Sequence, residues 1–347
     1  MEDPDLYTSE VWNLDDLVAR SPRFHHVMRT PMSNCLETGI QWYANTGEPL
    51  IIEGLHNHPD WRHVIFNLDW FVEHGQKSIP VRHVKSRKDS ELSIEHFVSH
   101  SRNAVRSQET EPPDLFYAKD AECPEAWHEW LDASGVVPAS LLPYGPDDIF
   151  QNLPHSARVE TLMCYLGVGG TLTPCHKDLC ASSGQNIMMY TEDSASAFWF
   201  MTKSCDAPTV AEYFQSLRHE LEQESYTITV DELARAPFDV FIAEQKLGDL
   251  VLVPPRSCHQ VVNHGGMSVK MSWSRMTLRG AATALRHELP VYHRMCRKEV
   301  YRIKSTIHCT MLAITRTLRA QLSENGSLKF VEFVSTATSV ALCLARI

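Results

Sequence analysis

The chain has ten cysteines but no CxxC pair, and it lacks any apolar run long enough to cross a bilayer comfortably. The first absence argues against a zinc ribbon, and the scattered spacing argues against a compact disulfide framework, so reduced, buried thiols are expected. The most apolar stretch, VSTATSVALCLARI near the C-terminus, is short for a span and reads as a buried helix or strand with no assigned function. The chain opens with the acidic MEDPDLYTSEVWNLDDL instead of a basic start followed by an apolar stretch, which predicts no export and an intracellular protein. No repeat of fixed period is visible. Positive charge is in deficit: 32 Lys and Arg stand against 43 Asp and Glu, for a net charge of −11. Such a balance argues against a grip on nucleic acid through the whole surface, which needs clustered cations to displace counterions.

What is present suits a folded protein with a sizeable core, at 347 residues and 43% apolar composition. EPLIIEGL and SIPVRHVKS read as strands. Between them Trp61, Val64, Ile65, Leu68, Phe71 and Val72 recur at helical spacing, which predicts one amphipathic helix over residues 60–74 with Gly75 as its C-cap. Helices are expected at 93–101 and around 125–133, while the rest of 117–148 is rich in Pro, Gly and Asp and reads as an irregular wrap. From 159 to 202 the runs TLMCYLGV, QNIMMYT and SAFWFMT, separated by turns, predict successive strands and an antiparallel barrel. A helical insertion is expected over 209–224, Thr229 and Glu232 have the spacing of a capping box, and FDVFIAEQ, DLVLVPP and SVKMSWSRM resume the strands.

Beyond Pro290, Cys296, Val300, Ile303, Ile307, Met311, Ile314, Leu318 and Leu322 fall three or four apart, which predicts one long helix. This region carries Arg294, Arg297, Lys298, Arg302, Lys304, Arg316 and Arg319 against Glu299 alone. A solvated helical face is the expectation, with contact to a nucleic acid, a nucleosome or another acidic partner as the alternative. The expected organisation is therefore a mixed α/β flank over 1–120, a connection over 121–158, a barrel core over 159–280 and a helical region over 281–347.

The segment LTPCHKDLCASSGQN places His176 and Asp178 two apart in a predicted strand, so imidazole and carboxylate should point to the same side of the sheet. Non-haem Fe(II) oxygenases hold their metal by two His and one carboxylate, leaving the other positions open. The later segment GDLVLVPPRSCHQVVNHGG offers His259 and His264 as a third ligand. His259 is preferred, because it directly follows a strand and the Pro-Pro-Arg loop, whereas His264 sits in an Asn-His-Gly-Gly turn expected to face water.

TPCHKD followed by GDLVLVPPRSCHQVVNHG resembles the paired signatures of JmjC-domain proteins, which include histone lysine demethylases and related protein hydroxylases. The likeness is strong over residues 160–277 and weaker from EPLIIEGL to Phe97, and no motif of JmjN, PHD, Tudor or zinc-finger companions is seen. The resemblance implies a mainly β protein built on a double-stranded β-helix (cupin or jelly-roll) barrel. It implies Fe(II) on His176, Asp178 and His259, and 2-oxoglutarate as a cosubstrate converted to succinate. It also implies a hydroxyl from Thr173 on the cosubstrate, an amide from Asn186 near it, and Tyr165 as a further hydroxyl. One position departs from the pattern: many members carry Lys two residues before the Trp of the strand matching SAFWFMT, and here Ala197 precedes Trp199. A buried dicarboxylate without a cation would bind poorly.

Lys203 and Lys270 are the candidate substitutes. Lys203 is expected past its strand's end. In SVKMSWSRM, Val269, Met271 and Trp273 should form one face and Lys270, Ser272 and Ser274 the other, so Lys270 is preferred. In the wider 2-oxoglutarate oxygenase superfamily a cation from the strand after the distal His often holds the far carboxylate. Cys175 and Cys258 are expected to point away from the metal as packing thiols, and Trp199 to belong to the core. The expected function is a nuclear protein oxygenase that demethylates methyllysine on a histone tail, with no membrane association. Stable hydroxylation of a protein, a non-catalytic chromatin scaffold suggested by Ala197, a cupin using another metal, and a cytoplasmic location are the alternatives.

Overall fold

The computed structural model describes residues 9–32, 36–106 and 114–324, so VSTATSVALCLARI lies outside the described residues. Strands β1 (Phe24–His26), β2 (Met28–Pro31), β3 (Leu50–Glu53), β4 (Ser78–His83), β5 (Asp89–Ser93) and β6 (Phe116–Glu122) precede the family-like region. Within it follow β7 (Met163–Gly167), β8 (Leu172–His176), β9 (Ser183–Thr191), β10 (Ser196–Met201), β11 (Val240–Gln245), β12 (Leu250–Val253), β13 (His259–His264) and β14 (Ser268–Arg275).

These strands form two mixed sheets. One has the order β1-β11-β10-β13-β8, the other β2-β3-β12-β9-β14-β7-β6-β4-β5. From β7 onward the chain passes back and forth between them, and among the described residues parallel pairing is confined to β1 with β11 and β2 with β3. The expected closed barrel is thus replaced, among the described residues, by two separate sheets, and the helices make the whole a mixed α/β structure. Side chains join the sheets where hydrogen bonds do not. Ile51, Met188 and Val251 from the larger sheet pack with Trp199, Phe241 and Val261 from the smaller one in a buried apolar cluster. β9 has its first seven residues buried, as a strand covered on both faces must. A larger cluster, including Trp61, Phe66, Trp127, Trp130 and Trp273, fills the space between the nine-stranded sheet and the helices of the flank.

Two helix expectations break where tertiary contacts override the apolar period. The stretch 60–74 contains two short helices, His63–Phe66 and Leu68–His74, because Asn67 adopts an extended backbone and caps the second through Asp69 N. Gly75 does end that helix, with an extended rather than a left-handed backbone. The long helix expected from Cys296 begins only at Ile303 and runs to Glu324, with a separate short helix, Leu289–Arg294, before it. Cys296 and Arg302 have positive φ, Tyr301 is buried against Phe150, and Glu299 Oε1 accepts from Ile303 N to restart the helix. The strands at EPLIIEGL and SIPVRHVKS, helices Ile94–Arg106 and Glu125–Ala133, and the Thr229–Glu232 capping box stand where expected. β6 lies inside the stretch read as irregular.

Candidate metal centre

β8 and β13 are neighbours in the smaller sheet, and their register sets His176 directly opposite His259. Residues alternate in direction along a strand, so Cys175 and Cys258, each one position before a histidine, turn the other way. Both thiols are buried in an apolar cluster behind the sheet, with their Sγ atoms 2.7 Å apart. The two imidazoles face each other with ring centroids 4.1 Å apart. Asp178 lies just beyond the end of β8 instead of within it. The backbone then takes left-handed φ values of 55° at both Cys180 and Ala181, which reverses the chain into β9. That reversal sets Gly184 against Asp178, and a Cβ at Gly184 would collide with Asp178 Oδ2.

One ligand atom from each of His176, Asp178 and His259 lies within 4.8 Å of the others. The hydrogen bonds orient these atoms. His176 Nδ1 is 2.9 Å from the carbonyl of Pro174, and His259 Nδ1 is 3.1 Å from the carbonyl of Ser257. A carbonyl only accepts, so Nδ1 carries the proton in both rings and each Nε2 offers its lone pair to a metal. Burial pulls both histidines down to about 4, helped for His176 by its neighbour His259, so they are neutral as ligands must be. Burial also pushes the Asp178 carboxyl up to about 6, with the nearby His176 working in the opposite direction. Asp178 Oδ2 is buried with no hydrogen-bond partner among the described residues, a costly state that a cation relieves. The donor set, the fixed tautomers and the orphaned carboxylate oxygen fit a divalent metal.

The triad opens into a cavity of about 500 Å³ between the sheets. Thr173, Asn186, Tyr165 and Lys270 all line it. Thr173 Oγ1 donates to the Tyr117 hydroxyl at 3.1 Å, the Asn186 side-chain oxygen accepts from Gln245 at 3.1 Å, and the Tyr165 hydroxyl donates to Asp120 at 2.7 Å. Lys270, Ser272 and Ser274 line the cavity, Val269 and Met271 join the core on the other face of β14, and Trp273, in the same core, also reaches the lining. Lys270 is 2% exposed, and burial lowers its ammonium to about 7. Its Nζ donates to Asn263, which pairs in register with Ala197. Lys270 thus reaches from β14 to the residue that pairs with Ala197 of β10. Lys203 instead pairs with Glu48 at 2.7 Å and does not line the cavity. His264 is also absent from the lining, and its Nδ1 lies 3.1 Å from Ser9 Oγ. Trp199 is buried and stacks on His259 at 6.0 Å, with its Nε1 bonded to Gln245.

Sequence reading missed three residues that matter here. Tyr117 lies on β6, in the stretch read as irregular, yet it is buried and reaches the cavity. Gly184 is one of 15 glycines and has no local mark beyond its place after SS. Glu288 lies far beyond the triad, 1% exposed, in the π-helical turn Ala284–Glu288. One of its oxygens takes Lys177 at 2.9 Å and the other takes Arg256 at 2.8 Å. Lys177 stands between two ligands of the triad, and Arg256 lies in the loop leading to the third. Burial would raise the Glu288 carboxyl, but Lys177 and Arg256 outweigh it and hold the group below its ordinary value.

Residues 163–273 match the family described as JmjC domain, hydroxylase. It is also similar to C-module-binding factor A of Dictyostelium discoideum, at 29% identity over 309 residues. That alignment covers 83% of this chain and 30% of the Dictyostelium protein, so the chain spans under a third of that relative's length.

Proposed function

We propose that the chain is an Fe(II)- and 2-oxoglutarate-dependent oxygenase acting on a protein substrate, built on a double-stranded β-helix. The observation that carries this reading is the triad itself: two imidazoles with their Nε2 atoms free and one orphaned carboxylate, grouped in a cavity within a JmjC-matched span. Bound iron would supply oxygen activation for oxidation of a substrate C–H bond. His176, Asp178 and His259 would hold it from one side. Lys270 would then meet the far carboxylate of 2-oxoglutarate, with the hydroxyls of Tyr117, Thr173 and Tyr165 and the amide of Asn186 lining the same space. Bringing a carboxylate to a buried lysine relieves the penalty that now lowers its pKa.

Methyllysine is the proposed target group, supported by Asp120 and Glu160 along the lining, which suit a cationic side chain. A histone tail is the proposed source. Lys298, Lys304, Arg316 and Arg319 are proposed to touch a nucleosome or another acidic partner, in a nuclear setting. Arg297 is already engaged by Glu224. No helix among the described residues is long and apolar enough to cross a membrane. Succinate release that requires both Fe(II) and 2-oxoglutarate tests the oxygenase reading, and its absence from freshly loaded protein would refute it. Mass spectrometry of methylated and unmodified histone peptides then separates loss of a methyl group from gain of one oxygen.

A further inference from the structure

A second cavity, of about 740 Å³, opens on the far side of the strand ends that carry the metal site. The two spaces share strands but use different residues. On β9 Ser183 lines the second cavity and Gly184 the first; on β14 Arg275 lines the second and Ser274 the first. Arg275 is 5% exposed, donates through Nη1 to the Ser140 carbonyl, and has a buried Nε with no hydrogen-bond partner among the described residues. No carboxylate forms an ion pair with it among those residues. Asp148, buried nearby, is committed to the backbone N–H groups of Tyr144, Phe150 and Met276. Asp147 lines the same cavity but is exposed.

A buried guanidinium that feels the carboxylates of Asp148 and Asp147 only at a distance, and whose Nε is unbonded among the described residues, is costly, and its natural complement is an anion. Arg256 also lines this cavity and adds a second positive charge, partly neutralised by Glu288. The opposite character comes from Ile40, Leu141 and Leu278, which supply an apolar wall. We propose that this cavity binds a small amphipathic anion, with its carboxylate or phosphate on Arg275 and its carbon chain against Ile40, Leu141 and Leu278. Cationic and apolar walls together select against both a free inorganic ion and a neutral lipid chain.

The test is calorimetry on the full chain with octanoate, octyl phosphate, octanol and inorganic phosphate, each with and without saturating 2-oxoglutarate. One equivalent of octanoate or octyl phosphate should bind, and the tighter of the two identifies the head group. Octanol and inorganic phosphate should each bind at least about tenfold more weakly, since each lacks half of the complement. Arg275→Met should weaken the anion by at least about tenfold while raising the thermal midpoint of the ligand-free protein, because a buried unpaired charge is removed. Leu278→Glu, at a partly exposed wall position, should also abolish binding and does not require the buried arginine to be touched. The proposal is overturned if neither amphipathic anion binds, if both variants bind it as the unaltered protein does, or if 2-oxoglutarate displaces it.

Discussion

Replacing Glu288 with Gln removes one buried charge, leaves Arg256 without its carboxylate and leaves Lys177 with Glu222 alone. Lys177 and Arg256 now share that carboxylate at 2.9 Å and 2.8 Å, and the side chain of Glu288 is 1% exposed. Breaking such a pair costs about 3–5 kcal/mol, most of it the penalty of the uncompensated partner. Lys177 keeps Glu222 at 3.1 Å, which puts the expected loss near the lower end, about 3 kcal/mol. At roughly 2–4 °C per kcal/mol for a chain of this size, the thermal midpoint should fall by roughly 6–12 °C. The pH dependence has a definite sign. Because the folded carboxyl lies below its ordinary value, its contribution is fully present above the unfolded value of about 4.3 and disappears as pH falls through the lower folded value. The gap between the two proteins should therefore be complete at neutral pH and close in acid. The loops bearing all three ligands are tied to this carboxylate, so affinity for Mn(II) should drop by about 10–100-fold. Urea unfolding of the metal-free protein and calorimetric Mn(II) titration measure both effects. A variant within about 0.5 kcal/mol of the unaltered protein, with equal Mn(II) affinity, would refute the reasoning.

His176→Ala or His259→Ala should abolish Mn(II) binding and Fe(II)-dependent succinate release with the fold retained by circular dichroism, whereas His264→Ala should leave both unchanged; the reverse result would reassign the third ligand. Lys270→Ala should raise the apparent 2-oxoglutarate KM by roughly tenfold or more. In the unaltered protein the free ammonium is held down to about 7, so cosubstrate affinity should weaken as pH rises through that value, and a flat KM profile would argue against contact with Lys270. Gly184→Ala should reduce Mn(II) affinity by about tenfold or more, since the added methyl displaces the Asp178 carboxylate; binding as tight as in the unaltered protein would show that the carboxylate moves freely.

The parts of the fold legible in the sequence are those with a strong local period or cap. LVLV and FWFM announce buried strands by composition, and Thr229 with Glu232 marks a helix start by spacing alone. The alternation in SVKMSWSR separated the row of Lys270, which lines the cavity, from Val269 and Met271 in the core, though Trp273 of that core row also reaches the cavity. What stayed illegible depends on partners distant in sequence. An apolar period indicates which face of a helix is covered, but nothing local marked the break before Ile303, where Tyr301 packs on Phe150 and Glu299 turns back as a cap. Tyr117 was hidden by the Pro, Gly and Asp around it, because the strand that holds it forms only by pairing with β4 and β7. The division into two sheets was equally hidden, since each strand run looks the same whether its sheet closes or not.

The tie at Glu288 bears on how far the working unit of this protein extends. The family-matched span ends at residue 273 and contains His176, Asp178 and His259. Glu288, Tyr292, whose hydroxyl accepts from Cys180 N at 3.0 Å, and Tyr301 at the cavity wall all come after it. Tyr117 comes before it. A protease cut in the exposed turn around Arg286 and His287 would leave every ligand in place on the larger fragment, yet release the fastening that keeps their loops together. Such a nick should cost metal retention well before it unravels either sheet, so limited proteolysis followed by measurement of bound metal would register the loss of one carboxylate as an early, separable event.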